Sequence, residues 1–115
     1  MKDLETVVKE SDIITIHVPL MEQTKNMING KKFFMMKDKC FLINTSRAEI
    51  IDEQALINYF NEGKFRGIAL DVYSENLKLN LKRDNVIFTP HIAAQGEDSF
   101  EEMCSRPINE LLKKL

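Results

Sequence analysis

Three side chains suited to chemistry follow apolar runs in the sequence: the guanidinium of Arg47, the carboxylate of Asp71 and the imidazole of His91. A guanidinium can hold a carboxylate through two parallel hydrogen bonds, and an imidazole can give or take a proton near neutral pH. Two hydroxyls, those of Thr45 and Ser46, directly precede the arginine. Taken singly, each residue is more often a solvated surface charge or a turn residue than a catalytic one. A functional role therefore depends on whether the fold brings the set together.

Four apolar runs supply the strands that must position these side chains. They are rich in β-branched residues and show little polar alternation, which is typical of strands covered on both faces in a parallel sheet. The runs occupy 13–18, Cys40–Asn44, 67–72 and 86–89.

Helical segments are predicted between and after the strands. A short amphipathic one is centred on 33–36, and a longer one is capped by Asp52 and ends at Gly63, where a left-handed residue is wanted. A polar loop separates the third and fourth strands. A last helix follows His91, with a kink or a restart near Arg106 because Pro107 interrupts helical hydrogen bonding. Strands alternating with helices predict an α/β fold with a parallel sheet.

The predicted topology gathers the chemistry at one edge. In open α/β sheets, ligands bind beyond the carboxyl ends of the strands. Those ends carry His17 to Pro19, then Asn44 with the turn to Arg47, then Asp71, then Thr89 to His91. The sequence therefore predicts a ligand site along this rim.

Composition excludes several other functions. The 115 residues and 43% hydrophobic content suit one domain, and 16 basic against 18 acidic residues show no block of one sign. We therefore expect no nucleic-acid partner, and no stretch approaches the roughly 20 apolar residues of a membrane span. Cys40 and Cys104 lack the spacing of a metal site. We expect reduced thiols, no metal, and a cytoplasmic location.

Four phrases resemble the D-isomer-specific 2-hydroxyacid dehydrogenases, in that family's order and nearly its spacing. The resemblance covers essentially the whole chain. This family contains the phosphoglycerate, lactate and glyoxylate/hydroxypyruvate dehydrogenases, and it also includes corepressors of the CtBP type. The phrases are SDIITIHVPL at 11–20 with Thr24, LINTSR at 42–47 with DEQAL at 52–56, GIALDVY at 67–73, and TPHIAA at 89–94.

The resemblance implies a role for each matched residue. Arg47 is similar to the family's substrate arginine, which holds the carboxylate of a 2-oxo acid and polarises its carbonyl. His91 is similar to the general acid/base that exchanges a proton with the carbonyl oxygen while hydride moves to or from the nicotinamide. Asp71 is similar to the residue that hydrogen-bonds the nicotinamide carboxamide. The positions that resemble the lining of the NAD site are Val18, Pro19, Thr24, Thr45, Ser46, Arg47, Asp71, His91, Ala93 and Ala94.

The chain departs from the family pattern beside these residues. The family's glutamate partner of the histidine falls on Asn76, and the carboxylate of Glu75 stands one place earlier. An ionised partner would keep imidazolium available, whereas a neutral amide could orient the ring without supplying charge. Either Glu75 or Asn76 could therefore be the partner. The family's glycine after the arginine is Ala48, so the turn at Arg47 could differ.

The glycine-rich phosphate-binding motif is also missing, because the glycines are Gly30, Gly63, Gly67 and Gly96 and no G-x-G-x-x-G occurs. We therefore expect 1–115 to be the second half of an NAD-binding (Rossmann) domain. It would lack the first βαβ unit and the substrate domain, bind dinucleotide weakly, and turn over little by itself. Exposed sheet edges would favour a homodimer or a complementing N-terminal half.

Two functions remain open on the sequence. The first is an NAD-dependent oxidoreductase fragment acting on a 2-oxo or 2-hydroxy acid, with NADP not excluded and the particular acid undetermined. The second is a non-catalytic binding or dimerisation module that retains the fold. A receiver-type signalling domain has a similar topology, but it needs clustered acidic residues at early strand ends and a lysine at a late one. These ends carry His17, Arg47 and His91 instead.

Overall fold

A computed structural model describes residues 3–90 of the chain. Among these residues, four strands form one parallel sheet in which each strand pairs with its neighbour in sequence, in the order β1-β2-β3-β4. Their bounds are Ile13–Ile16 (β1), Cys40–Asn44 (β2), Phe65–Leu70 (β3) and Val86–Phe88 (β4). The α/β fold with a parallel sheet is confirmed.

In the described part of the chain, four α-helices connect or precede the strands. They are Leu4–Glu10 (α1), Gly30–Met35 (α2), Glu53–Asn61 (α3) and Glu75–Asn80 (α4), and one turn of 3-10 helix covers Ala48–Ile50. Each α-helix begins after a residue whose side chain accepts a hydrogen bond from a backbone amide of the first turn, as N-caps do. These caps are Asp3, Asn29, Asp52 and Ser74.

The main core lies between the sheet and the helices. Ile14 of β1 pairs with Leu42 of β2, and Leu42 pairs with Ile68 of β3. These side chains belong to one buried cluster with Phe33 of α2 and Leu56 of α3. Burying such side chains stabilises the fold by about 1.5–3 kcal/mol each. A second, smaller cluster lies on the opposite face of the sheet and contains Phe41, Ile43 and Ala69, with Ile87 packed against it. Both faces of the central strands are therefore buried, as their unbroken apolar sequences predict.

The predicted capping of the longer helix is confirmed. The carboxylate of Asp52 accepts from the backbone amide of Ala55 at 3.2 Å, and Gly63 follows the helix with a φ of 81°. That conformation is the left-handed one in which glycine avoids the clash of a Cβ atom.

Several predicted boundaries were wrong. β1 ends at Ile16 rather than at Val18, since the following residues leave the ladder ahead of Pro19, which has no amide hydrogen to donate. β3 begins at Phe65, two residues before the predicted start at Gly67. The buried Phe65 pairs with Cys40 in the register of β2 and β3. It ends at Leu70 and β4 ends at Phe88, so Asp71 and Thr89 follow their strands.

The polar loop predicted between the third and fourth strands was wrong as well, because it contains α4. The helix had a local signal: Ser74 caps it, and Leu77 and Leu81 lie four residues apart on its buried side. The last predicted helix, with Pro107, lies outside the described residues. Within 3–90, none of the helices has the length and apolar character needed to cross a membrane, and no group of side chains there could hold a metal ion.

Candidate active site at the carboxyl edge of the sheet

The turn that carries Arg47 is organised by Asn44, a fully buried polar residue at the end of β2. Its amide nitrogen donates to the carbonyl oxygen of Arg47 at 2.9 Å, and its amide oxygen accepts from the backbone amide of Ser46 at 3.0 Å. Both functions of the amide are thus used inside the turn, as burial of a polar side chain requires. Asn44 was not among the predicted site residues, although a polar residue closing an apolar strand is a usable signal.

Two further contacts join this turn to the end of β1. The hydroxyl of Ser46 donates to the carbonyl oxygen of Val18, and Thr45 Oγ1 lies 3.4 Å from His17 Nδ1. The other ring nitrogen of His17 is 2.8 Å from Thr15 Oγ1. The predicted cofactor residues Thr45, Ser46 and Val18 are therefore brought together, and they hold two strand ends side by side.

Arg47 itself is exposed, and its Nη1 donates to the carbonyl oxygen of Ser46 at 2.9 Å. The 3-10 turn follows at once, with Ala48 as its first residue. Ala48 is not among the described residues that have positive φ, so alanine fits here without backbone strain. The absence of the family's glycine leaves the turn after Arg47 intact.

Asp71 is the buried carboxylate of the rim, with 7% of its surface exposed. Its backbone amide donates to the carbonyl oxygen of Asn44 at 3.0 Å, which continues the sheet ladder by one residue beyond β3. The hydroxyl of Thr89 donates to the carboxylate of Asp71, and the backbone amide of Thr89 donates to the carbonyl oxygen of Leu70 at 3.0 Å. Asp71 is therefore fixed between the ends of β2 and β4.

A cleft of about 310 Å³ opens between these strand ends. Arg47 and Asp71 both line it, so two of the predicted site residues lie on one concave surface. Its volume is at the lower end of the range for small-molecule sites. The lining residues are Arg47, Ala48, Glu49, Asp71, Val72, Tyr73, Thr89 and Pro90. Tyr73 was not predicted as a site residue, and Thr89 was predicted only as part of the rim formed by the strand ends.

The remaining predicted cofactor residues near β1, Pro19 and Thr24, follow that strand and are not in the lining of the cleft. Thr24 Oγ1 donates to the carbonyl oxygen of Pro19 at 2.7 Å and accepts from the amide of Met21 at 2.8 Å. This closes the loop that follows β1, and Pro19 is exposed on it. His91, Ala93 and Ala94 lie outside the described residues.

Glu75 and Asn76 form the start of α4, which follows the cleft residues Asp71, Val72 and Tyr73 and the cap Ser74. Asn76 Nδ2 donates to Glu53 Oε2 at 3.1 Å, so its amide is engaged with α3. The side chain of Glu75 is exposed and, within the part of the chain that the structure describes, makes no hydrogen bond or ion pair. Of the two candidate partners for the histidine, only the glutamate keeps its polar atoms uncommitted among these residues.

The cleft suits one end of a nicotinamide dinucleotide. A carboxylate such as that of Asp71 can accept from a carboxamide, and the hydroxyls of Thr45 and Ser46 stand at the adjacent strand end. The pyrophosphate needs a glycine-rich turn at a helix N-terminus, and the sequence has no such motif. The residues present therefore fit the nicotinamide end and not the phosphate end.

Comparison with known proteins agrees with this geometry. Residues 1–93 match the model of the D-isomer specific 2-hydroxyacid dehydrogenase, NAD binding domain. A glyoxylate reductase of Thermococcus litoralis is 40% identical over 96% of this chain and 34% of its own length. A hydroxypyruvate reductase of Thermotoga maritima is 37% identical over 98% of this chain and 39% of its own length.

Solved structures show the same relationship. The D-lactate dehydrogenase of Aquifex aeolicus, complexed with NAD and lactic acid, superposes with a TM-score of 0.79 and 32% identity. The match covers 95% of this chain and 42% of that one. The chain thus spans about a third to two fifths of the length of these relatives. By its sequence, its parallel sheet and its carboxyl-edge cleft, the chain belongs to the D-isomer specific 2-hydroxyacid dehydrogenase family, within the NAD-binding domain.

Proposed function

We propose that this chain is the substrate and nicotinamide half of an NAD-dependent dehydrogenase that interconverts 2-oxo and D-2-hydroxy acids. The observation that carries the proposal is the shared cleft of Arg47 and Asp71, which combines an exposed guanidinium with a buried carboxylate. Such a pair can hold a small anionic acid and an uncharged carboxamide in adjacent places. The named activities of the relatives, reduction of glyoxylate and of hydroxypyruvate, use acids of this size.

The proposal gives a task to four residues, of which Arg47 and Asp71 line the cleft. Arg47 binds the acid's carboxylate with two donors and draws electron density from the neighbouring carbonyl. Asp71 accepts a hydrogen bond from the carboxamide and so sets which face of the nicotinamide ring is presented. When bound, NADH supplies the hydride. His91 donates the proton to the carbonyl oxygen, and Glu75 is the carboxylate that supports it.

A single substitution at Arg47 tests the proposal. Arg47→Met should weaken glyoxylate binding in the presence of NADH by about tenfold or more, since hydrogen bonds to charged groups are each worth about 1.5–3 kcal/mol. Arg47→Lys should recover only part of that loss, because an ammonium cannot make the two parallel hydrogen bonds. Isothermal titration of the purified chain measures both.

Arg66→Met is the matched control, because Arg66 is an exposed arginine of β3 outside the cleft lining. It should bind glyoxylate as the wild type does. Equal affinity of wild type and Arg47→Met would refute the assignment of Arg47. Micromolar binding of NADH by the folded chain would contradict the non-catalytic module, for which the amide at Asn76 is the supporting observation.

The chain should also need a partner along β1. Within 3–90 this strand pairs on one side only, and apolar side chains are exposed at its start and in the loop after it, with Ile13 at 52% and Met21 at 50%. An unpaired strand edge recruits another strand. We assign this edge to the glycine-rich half of the same domain, since the relatives are two to three times longer than the match. Light scattering of the chain alone tests this, and a stable dimer would point to a second copy instead.

A further inference from the structure

The carboxylate of Glu53 joins two helices beside the cleft. Glu53 is the first residue of α3, and each of its carboxylate oxygens accepts one hydrogen bond from the start of α4. Ser74 Oγ donates to Oε1, and Asn76 Nδ2 donates to Oε2 at 3.1 Å. Ser74 Oγ in turn accepts from the backbone amide of Leu77 at 3.1 Å, as the N-cap of α4. One carboxylate therefore holds both the cap and the first turn of that helix.

The two segments joined in this way carry opposite sides of the cleft. α3 begins after the turn that contains Arg47 and Glu49, and α4 begins after Val72 and Tyr73, all of which line the cleft. Other contacts between these helices are few in the structure, so the Glu53 carboxylate is their main polar connection.

An ionised carboxylate can accept hydrogen bonds but cannot donate, so Glu53 requires donors at both places that it contacts. The hydroxyl of Ser74 and the amide nitrogen of Asn76 meet that requirement. The amide orientation is supported from the other side, because Asn80 Nδ2 donates to Asn76 Oδ1 at 3.0 Å. A glutamate at position 76 would instead bring two like charges together, which disfavours both.

We infer that Glu53 is a positioning residue of the cleft, which holds the β3–α4 turn in place through Ser74 and Asn76 and therefore excludes a carboxylate at position 76. This accounts for the amide that replaces the family's glutamate there. It also leaves Glu75 as the carboxylate of this turn that faces solvent. The significance for catalysis rests on the proposed function, whereas the connection itself can be tested on the chain without cofactor or substrate.

The first test is a reciprocal exchange of the two side chains. Asn76→Glu should lower the midpoint of thermal unfolding by about 3–6 °C, a loss near 1 kcal/mol, because position 76 is exposed and solvent screens part of the repulsion. Glu53→Gln should cost less than Asn76→Glu. In the double variant the introduced amide can donate to the introduced carboxylate, so the midpoint should return most of the way to that of the wild type.

Glu62→Gln is the control, since Glu62 is the exposed carboxylate at the other end of α3 and has no partner among the described residues. It should leave the midpoint unchanged and should not rescue Asn76→Glu. Additive losses in the double variant would overturn the inference. If Asn76→Glu does not fold, folding of the double variant supports the inference.

A spectroscopic signature provides a second, independent measurement. In proton–nitrogen correlation spectra of the folded chain, Glu53→Gln should move the side-chain amide resonances of Asn76, because the charge-assisted hydrogen bond is lost. Glu62→Gln should leave them in place. Unmoved resonances in Glu53→Gln would overturn the inference even if neither variant at position 76 folds. Failure to bind NADH or glyoxylate affects neither measurement, so the two proposals fail separately.

Discussion

Removal of the buried amide at the end of β2 should destabilise the Arg47 turn more than any comparable exposed substitution. Asn44→Ala removes two hydrogen bonds, one to the carbonyl oxygen of Arg47 and one from the amide of Ser46, at 2.9 and 3.0 Å. Each partner left unsatisfied costs about 1–3 kcal/mol. Arg47 is exposed and Ser46 is partly so, so water can reach both groups, and we expect a total near the lower end, about 2–3 kcal/mol.

Urea unfolding followed by circular dichroism measures this loss, and the slope with denaturant should stay unchanged because the surface exposed on unfolding is the same. Asn58→Ala is the matched control, since Asn58 is exposed on α3 and its side chain accepts one hydrogen bond from Gln54. It should change the free energy of unfolding by about 0.5 kcal/mol or less. Asn44→Asp keeps the acceptor for Ser46 but loses the donor to Arg47, so it should also destabilise. A loss in Asn44→Ala no larger than that in Asn58→Ala would show that the turn does not depend on this amide.

Three further substitutions or conditions test the scaffold. Gly63→Ala should cost about 1–2 kcal/mol on thermal unfolding, because φ is 81° there and the nearest atom to an added Cβ is 3.7 Å away, so that backbone strain alone acts; an unchanged midpoint would contradict this. Asp52→Ala should cost about 1 kcal/mol in the same measurement through loss of the cap on Ala55, and a serine in its place should restore most of it. Burial raises the pKa of the Cys40 thiol above its ordinary 9.0, so in a Cys104→Ser background the thiol should react with a disulfide reagent only as fast as the chain unfolds. The Cys40 thiol ionises at lower pH in the unfolded chain than in the folded one, so the stability that it contributes is present below pH 9.0 and falls as the pH rises above that value. Rapid labelling of this thiol in the folded chain would refute its burial.

The fold was predictable wherever the local signals were strong. The bounds of β2 were predicted correctly because five consecutive residues, Cys40–Asn44, are all buried and the flanking residues are polar. The start of β3 was less predictable because Arg66 is exposed within it, at the irregular register between Cys40 and Phe41. α4 was missed because its six residues bury Leu77 alone, so its signal was limited to the cap at Ser74 and the spacing of Leu77 and Leu81.

The candidate site was partly predictable for a related reason. Strand order determines which residues meet, and the alternating pattern indicated that Arg47 and Asp71 would share the carboxyl edge. The supporting contacts were not predictable, because Asn44, Glu53 and Thr89 act through hydrogen bonds that depend on how adjacent elements pack. Assignments at His91, Ala93 and Ala94 remain predictions, since these residues lie outside 3–90.

The order of the strands has a consequence for how the sheet assembles. Every pairing joins a strand to the one before it in the chain, with a single helix or turn region intervening. Each addition therefore closes a short loop at a small entropic cost, which favours fast folding for a parallel sheet. During synthesis on the ribosome, β1 and β2 could pair before β3 emerges, so the Arg47 turn would form ahead of the wall that completes its cleft.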